Sequence, residues 1–167
     1  MTHADVERVV HDAVGESNSM NRVRSFSGDG TQFFCTSLEQ PMGSPDLLRE
    51  AMQAMHMEGT CDNLGKLLFS AGEDYIAILV YVPSEQIQIS CTSLLQVVLD
   101  THDDVLELDL SEGTIWSGIV CRGRVKIPTR HTNPRSMMTR MAKTAEEWLW
   151  TKWQVKLVSQ QFETMVI

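Results

Sequence analysis

The spacing of apolar and polar positions changes several times along the chain, and each change predicts an element. In HADVERVVHDAV, residues 3–14, Val6, Val9, Val10 and Val14 share one helical face, and Thr2 stands where an N-cap belongs. GESNSMN at 15–21 reads as a loop. RVRSFSGDGTQFFCTSL at 22–38 has two short runs about Gly28-Asp29-Gly30, the pattern of a hairpin.

Ser44-Pro45 then opens a helix, with Asp46 in the first turn. Leu47, Leu48, Ala51, Met52, Ala54 and Met55 point inward, and Gly59 is the stop. DNLGKLLFSAG at 62–72 predicts a second helical piece ending at Gly72. YIAILVYVP at 75–83 is almost continuously apolar, as in a central strand covered on both faces. IQI at 87–89 has the look of an edge fragment. Ser90 caps a helix running through CTSLLQVVLDTH, and VLELDL at 105–110 alternates as a half-exposed strand does. After the turn at SEG, TIWSGIVCRGRVKIP at 114–128 returns as one long strand. Asn133 and Pro134 open a last helix expected to reach about residue 158.

The order is α-ββ-α-α-β-α-β-β-α, which predicts an α+β fold. Its sheet is mixed and mostly antiparallel, with helices packed against it and a long C-terminal helix. Residues 1–43 are expected to form an N-terminal helix-and-hairpin arm on a core at 44–167, in one domain overall. With 167 residues the chain is long enough to bury a core without staples.

Charge sharpens this picture. The net charge is −8, but it is unevenly laid out. Residues 1–121 hold five Lys and Arg against nineteen Asp and Glu, a balance of −14. Residues 122–156 hold nine against two, a balance of +7. Such asymmetry bears on partners rather than on fold. Arg122, Arg124 and Lys126 alternate along a strand and so project from one face. Arg130, His131 and Arg135 follow in a proline-broken loop that enters a helix N-terminus, where backbone N–H groups favour anions. Arg140 and Lys143 extend the basic set along the helix. Pairing of these cations with the chain's own carboxylates would remove the surface.

On the last helix, Met138, Met141, Ala142, Ala145, Trp148, Leu149 and Trp153 fall on one broad face, expected to be core. Ser136, Arg140, Lys143, Glu147, Trp150 and Gln154 fall on the other. Trp150 is the outlier there, a candidate partner anchor unless the C-terminal tail folds over it.

Catalytic and metal motifs do not appear in the sequence. Neither G-x-S-x-G, H-E-x-x-H nor G-x-G-x-x-G occurs, and Glu146 and Glu147 diverge on a helix, so they form no acid–base pair. His102-Asp103-Asp104 reads as a solvated turn. Cys35, Cys61, Cys91 and Cys121 lack the close pairing of zinc ligands and read as reduced, buried small hydrophobes. No cofactor or metal is called for. The first residues do not resemble a signal or transit peptide, and the longest apolar stretch is of strand length. The expected location is the cytoplasm or an organelle matrix, with no membrane contact and no secretion.

The run NLGKLLFSAGEDYIAILVYVPSEQ at 63–86, followed by SLLQVVLDTH at 93–102, resembles the C-terminal domain of alanyl-tRNA synthetases and the related DHH-phosphoesterase-associated domains. ILVYVPS and LLQVVL carry the likeness. It implies a βαβ-containing, nucleic-acid-associated module. The family's glycine-rich segment is replaced here by the acidic DDVLELDLSEG at 103–113.

Together these features predict a non-catalytic binding or assembly subunit, docking through a basic strand–loop–helix face onto RNA or a ribonucleoprotein, or onto an acidic protein surface in a larger complex. The alternative is a protein–protein adaptor or chaperone-like module that uses the Trp- and Met-rich last helix.

Overall fold

A computed structural model describes residues 2–27, 32–57, 64–84, 88–100, 113–115, 118–129 and 131–159; for 16–27, 32, 113–115 and 158–159 it describes the backbone alone. Ten elements follow in order: α1 (His3–Ser27), β1 (Gln32–Ser37), α2 (Pro45–Met57), β2 (Gly65–Ala71), β3 (Tyr75–Pro83), α3 (Cys91–Leu99), β4 (Gly113–Ile115), β5 (Gly118–Lys126), α4 (Pro134–Trp153) and β6 (Lys156–Ser159). The strands form one mixed six-stranded sheet in the order β4-β5-β3-β2-β1-β6. β1 is parallel to β2 and β6; the β2–β3, β3–β5 and β4–β5 pairs are antiparallel. The fold is thus α+β, with a mixed, mostly antiparallel sheet and a long C-terminal helix.

Strand alternation gives the sheet two apolar faces. Phe33, Cys35, Leu67, Phe69, Ile78 and Val80 point to one side and close a core with α3 and α4. Phe34, Leu68, Ala77, Leu79 and Tyr81 point to the other and meet α1 and α2. β3 serves both cores, which is why its sequence is apolar without alternation. α2 makes the crossover that joins the parallel strands β1 and β2.

Local signals place the helix starts. The Ser44 hydroxyl accepts from the Leu47 N–H at 3.3 Å, Ser90 from Ser93 at 3.2 Å, and the Asn133 carboxamide oxygen from Arg135 at 3.0 Å. Thr2 and Asp5 cap α1 reciprocally. The Thr2 hydroxyl accepts from the Asp5 N–H at 3.2 Å, and the Asp5 carboxylate accepts from the Thr2 N–H at 3.0 Å.

Several expectations are corrected. The loop at 15–21 and the first arm of the hairpin at 22–27 are both helical, continuing α1 to Ser27. Gly, Ser and Asn there have weak helix propensity, but α1 packs on α2 and buries Val9 and Ala13, and tertiary packing overrides propensity. Among the described residues β1 has no hairpin partner before it, and it pairs with β2 and β6 inside the sheet. The helix expected at 62–72 is strand β2, hydrogen-bonded on both sides and buried nearly throughout. A short apolar run covered on both faces carries no decisive period, and KLLFS is such a run.

The single strand expected at 114–128 is two, with Gly113 opposite Val120 and Ile115 opposite Gly118. Gln88 and Ile89 lie outside any strand. The last helix ends at Trp153, because Gln154 turns left-handed (φ 53°) and donates to the carbonyls of Leu149 and Trp150. The chain then enters β6. The strand expected at 105–110, Gly59, Cys61, Arg130 and His102-Asp103-Asp104 lie outside the described residues.

Cys35, Cys91 and Cys121 are buried, as the sequence predicts, and form no disulfide among the described residues. Among the described residues no helix is long and apolar enough to cross a membrane.

Candidate functional site

β5 carries the first three predicted cations. Its register sets Arg122 opposite Leu79, Arg124 opposite Ala77 and Lys126 opposite Tyr75, all on the sheet face that α1 and α2 cover. Cys121 and Val125 point the other way, into the α3/α4 core. The stripe is real as a row of side chains, but it is partly engaged. Arg122 Nη1 lies 2.8 Å from Asp46 Oδ1 in the first turn of α2, and the Arg122 side chain is only 26% exposed. The Arg124 guanidinium sits over the Tyr75 ring, 4.8 Å from its centroid. Lys126 is exposed.

Beyond β5 the chain leaves the sheet and leads into α4. The Ile127 N–H bonds the Asp74 carbonyl at 2.8 Å, and the Thr129 and Thr132 hydroxyls meet at 2.9 Å. His131 and Arg135 are exposed there, at the start of α4. Arg140 and Lys143 are exposed on the outer face of α4, whose inner face fills the core on the other side of the sheet from the β5 stripe. The predicted basic set is therefore divided. Arg122, Arg124 and Lys126 share one side of the sheet; Arg140 and Lys143 ride on a helix covering the other.

The helical wheel of α4 holds for its aliphatic positions, with Met137 added, and shifts at its tryptophans. Met137, Met138, Met141, Ala142, Ala145 and Leu149 are buried. Trp148 is half-buried, with the Lys152 ammonium 5.7 Å from its ring centroid. Trp153, expected in the core, is 38% exposed, and Trp150 is 52% exposed. The helix ends at Trp153 and the chain leaves for β6, so no following turn packs over that indole from within α4. The outer face of α4 is thus Ser136, Thr139, Arg140, Lys143, Glu146, Glu147, Trp150 and Trp153, with two indoles at one end and both signs of charge between.

Sequence reasoning passed over a buried polar cluster on the α1/α2 side of the sheet. Lys66 is fully buried; its ammonium donates to the Leu64 carbonyl at 3.2 Å and lies 4.9 Å from the Tyr81 ring centroid. The His56 ring meets Tyr81 edge-on at 4.6 Å. The only signal was a lysine inside the apolar run GKLLFS, which a helical reading turns toward solvent. Nearby, Gly118 leaves room for that tyrosine: a Cβ at this position would stand 2.6 Å from Tyr81 Cζ and Oη.

In the other core, burial holds the Cys35 thiol far above its ordinary range, with the Glu146 carboxylate adding to the effect. That cysteine is a packing group with little thiolate character. Among the described residues no group of three or more His, Cys, Asp or Glu is placed to hold a metal ion.

No protein-family model matches this chain, and no curated protein matches it.

Proposed function

We propose that this protein is a non-catalytic binding and assembly module that docks onto a protein partner through the outer face of α4, with Trp150 as the anchor. One observation carries the reading: Trp150 and Trp153, 52% and 38% exposed, lie at one end of a helix whose opposite face is closed into the core. Covering a large apolar side chain is worth about 1.5–3 kcal/mol, so two indoles left in water mark a surface that gains by being covered. Arg140 and Lys143 on the same face favour a partner that offers carboxylates beside an apolar contact.

A second reading, docking on RNA, draws on the β5 row of Arg122, Arg124 and Lys126 and on the resemblance to the alanyl-tRNA synthetase C-terminal domain. The Asp46 carboxylate on Arg122 and the partial burial of that side chain weigh against it. Affinity purification of the tagged full chain, with and without nuclease, separates the two. The α4 reading expects nuclease-resistant partners that are lost with Trp150→Ala and kept with Arg122→Glu/Arg124→Glu. Partners that vanish with nuclease, or that survive Trp150→Ala, contradict it.

A further inference from the structure

We infer that the partner seated on α4 is a second copy of this chain, held in an antiparallel α4–α4 pair about a two-fold axis; this rests on the α4 docking reading. The inference comes from the order of charges. Arg140 and Lys143 precede Glu146 and Glu147 along the exposed face. That order does little for the helix itself. The macrodipole favours anions early and cations late, and a lysine four residues before a glutamate is the weaker of the two helical pairings. The ion pairs among the described residues involve none of these four side chains. The face holds plus and minus in separate blocks, with neither used in an ion pair among the described residues.

A second α4 uses both. The outer face repeats in steps of seven: Ser136, Lys143 and Trp150 form one row, and Thr139, Glu146 and Trp153 form the next. Two such rows form a seam of coiled-coil spacing. In an antiparallel pair centred between Thr144 and Ala145, Lys143 stands opposite Glu146 of the other copy, and Arg140 flanks Glu147 of the other copy. The two-fold repeats each contact, so four opposite-charge contacts form. The same register sets Trp150 against Thr139 and Trp153 against Ser136, large rings against small side chains. A parallel pair would set Arg140 on Arg140 and Lys143 on Lys143, so the charges select the antiparallel orientation.

A pair of helices of this length, about 30 Å, gives an interface at the small end of the stable range, and the dimer is expected to dissociate in the micromolar region. Analytical ultracentrifugation of the full chain from about 1 to about 200 µM tests it. The expected mass rises from 18.8 kDa toward twice that value. Two charge variants sharpen the test. Arg140→Glu/Lys143→Glu makes the face wholly acidic, and Glu146→Lys/Glu147→Lys makes it wholly basic. Each alone is expected to raise the dissociation constant at least about 30-fold, and an equimolar mixture of the two to dimerise again. A wild-type chain that stays monomeric throughout, variants that dimerise like wild type, or a mixture that stays monomeric would each overturn the inference. If the wild type is monomeric while Trp150→Ala still abolishes a nuclease-resistant complex, the second copy is wrong and the α4 docking surface stands.

Discussion

The ammonium of Lys66 lies 4.9 Å from the centroid of Tyr81 and 3.2 Å from the carbonyl oxygen of Leu64, with no part of the lysine exposed. The ring is the larger element of this arrangement, because it also meets His56 and fills the space above Gly118. Tyr81→Ala is expected to cost about 3–5 kcal/mol, the usual range for removing a buried aromatic. Lys66→Met keeps most of the stem and removes the charge, so lost cation–π attraction and recovered desolvation partly offset; the expected cost is below about 2 kcal/mol. Urea unfolding of the two variants checks the order. A larger loss for Lys66→Met would show that the ammonium, and not the ring, organises this side of the sheet.

Gly118 gives a sharper steric test. An added methyl there meets Tyr81 Cζ and Oη at 2.6 Å, and that ring is fully buried. Gly118→Ala is expected to destabilise by about 1–3 kcal/mol, read as a lower midpoint in the same denaturation. Restored stability in the double variant with Tyr81→Leu would tie the loss to this contact.

Where the sequence held a strong local signal, the fold was legible. Ser44-Pro45, Ser90 and Asn133-Pro134 start helices where their capping chemistry says, and YIAILVYVP is the doubly covered strand its composition implies. Where the outcome depended on distant partners, it was not. GKLLFSA becomes β2 only because β1 and β3 lie on either side of it, and GESNSMN is helical in a helix that packs on α2. The candidate surface divided in the same way. The alternation of Arg122, Arg124 and Lys126 was readable, but the carboxylate of Asp46, seventy-six residues away, was not. Trp150 stood out on a helical wheel; the exposure of Trp153 followed from a left-handed Gln154 that no periodicity announces.

The Arg122–Asp46 pair bears directly on the RNA reading. Its carboxylate is 72% exposed, so the pair contributes little to stability, and Asp46→Asn is expected to change unfolding free energy by less than about 1 kcal/mol. If docking runs through α4, neither wild type nor Asp46→Asn binds a short single-stranded RNA in about 150 mM salt, by fluorescence anisotropy. Tight binding that strengthens with Asp46→Asn and falls steeply with salt would favour the β5 row instead.

The start of α1 predicts its own pH dependence. Hydrogen bonds from the Thr2 hydroxyl, then from the Thr2 backbone, hold the Asp5 carboxyl below its ordinary 3.8, with Arg8 assisting. The folded value is depressed, so the stabilisation is fully present above the ordinary value and is lost as pH falls through the folded one. Carboxyl chemical shifts followed by NMR should place the Asp5 midpoint below 3.8, and Thr2→Ala should move it back up. A midpoint unchanged by Thr2→Ala would remove the capping interaction from the account.

The most direct test of α4 as the docking surface is hydroxyl-radical footprinting of its tryptophans, in the dilute purified chain and in the complex recovered from cells. Rapid oxidation of Trp150 and Trp153 is expected in the dilute chain and strong protection of both in the complex, with the half-buried Trp148 changing little. Equal oxidation of Trp150 in the two samples would contradict it.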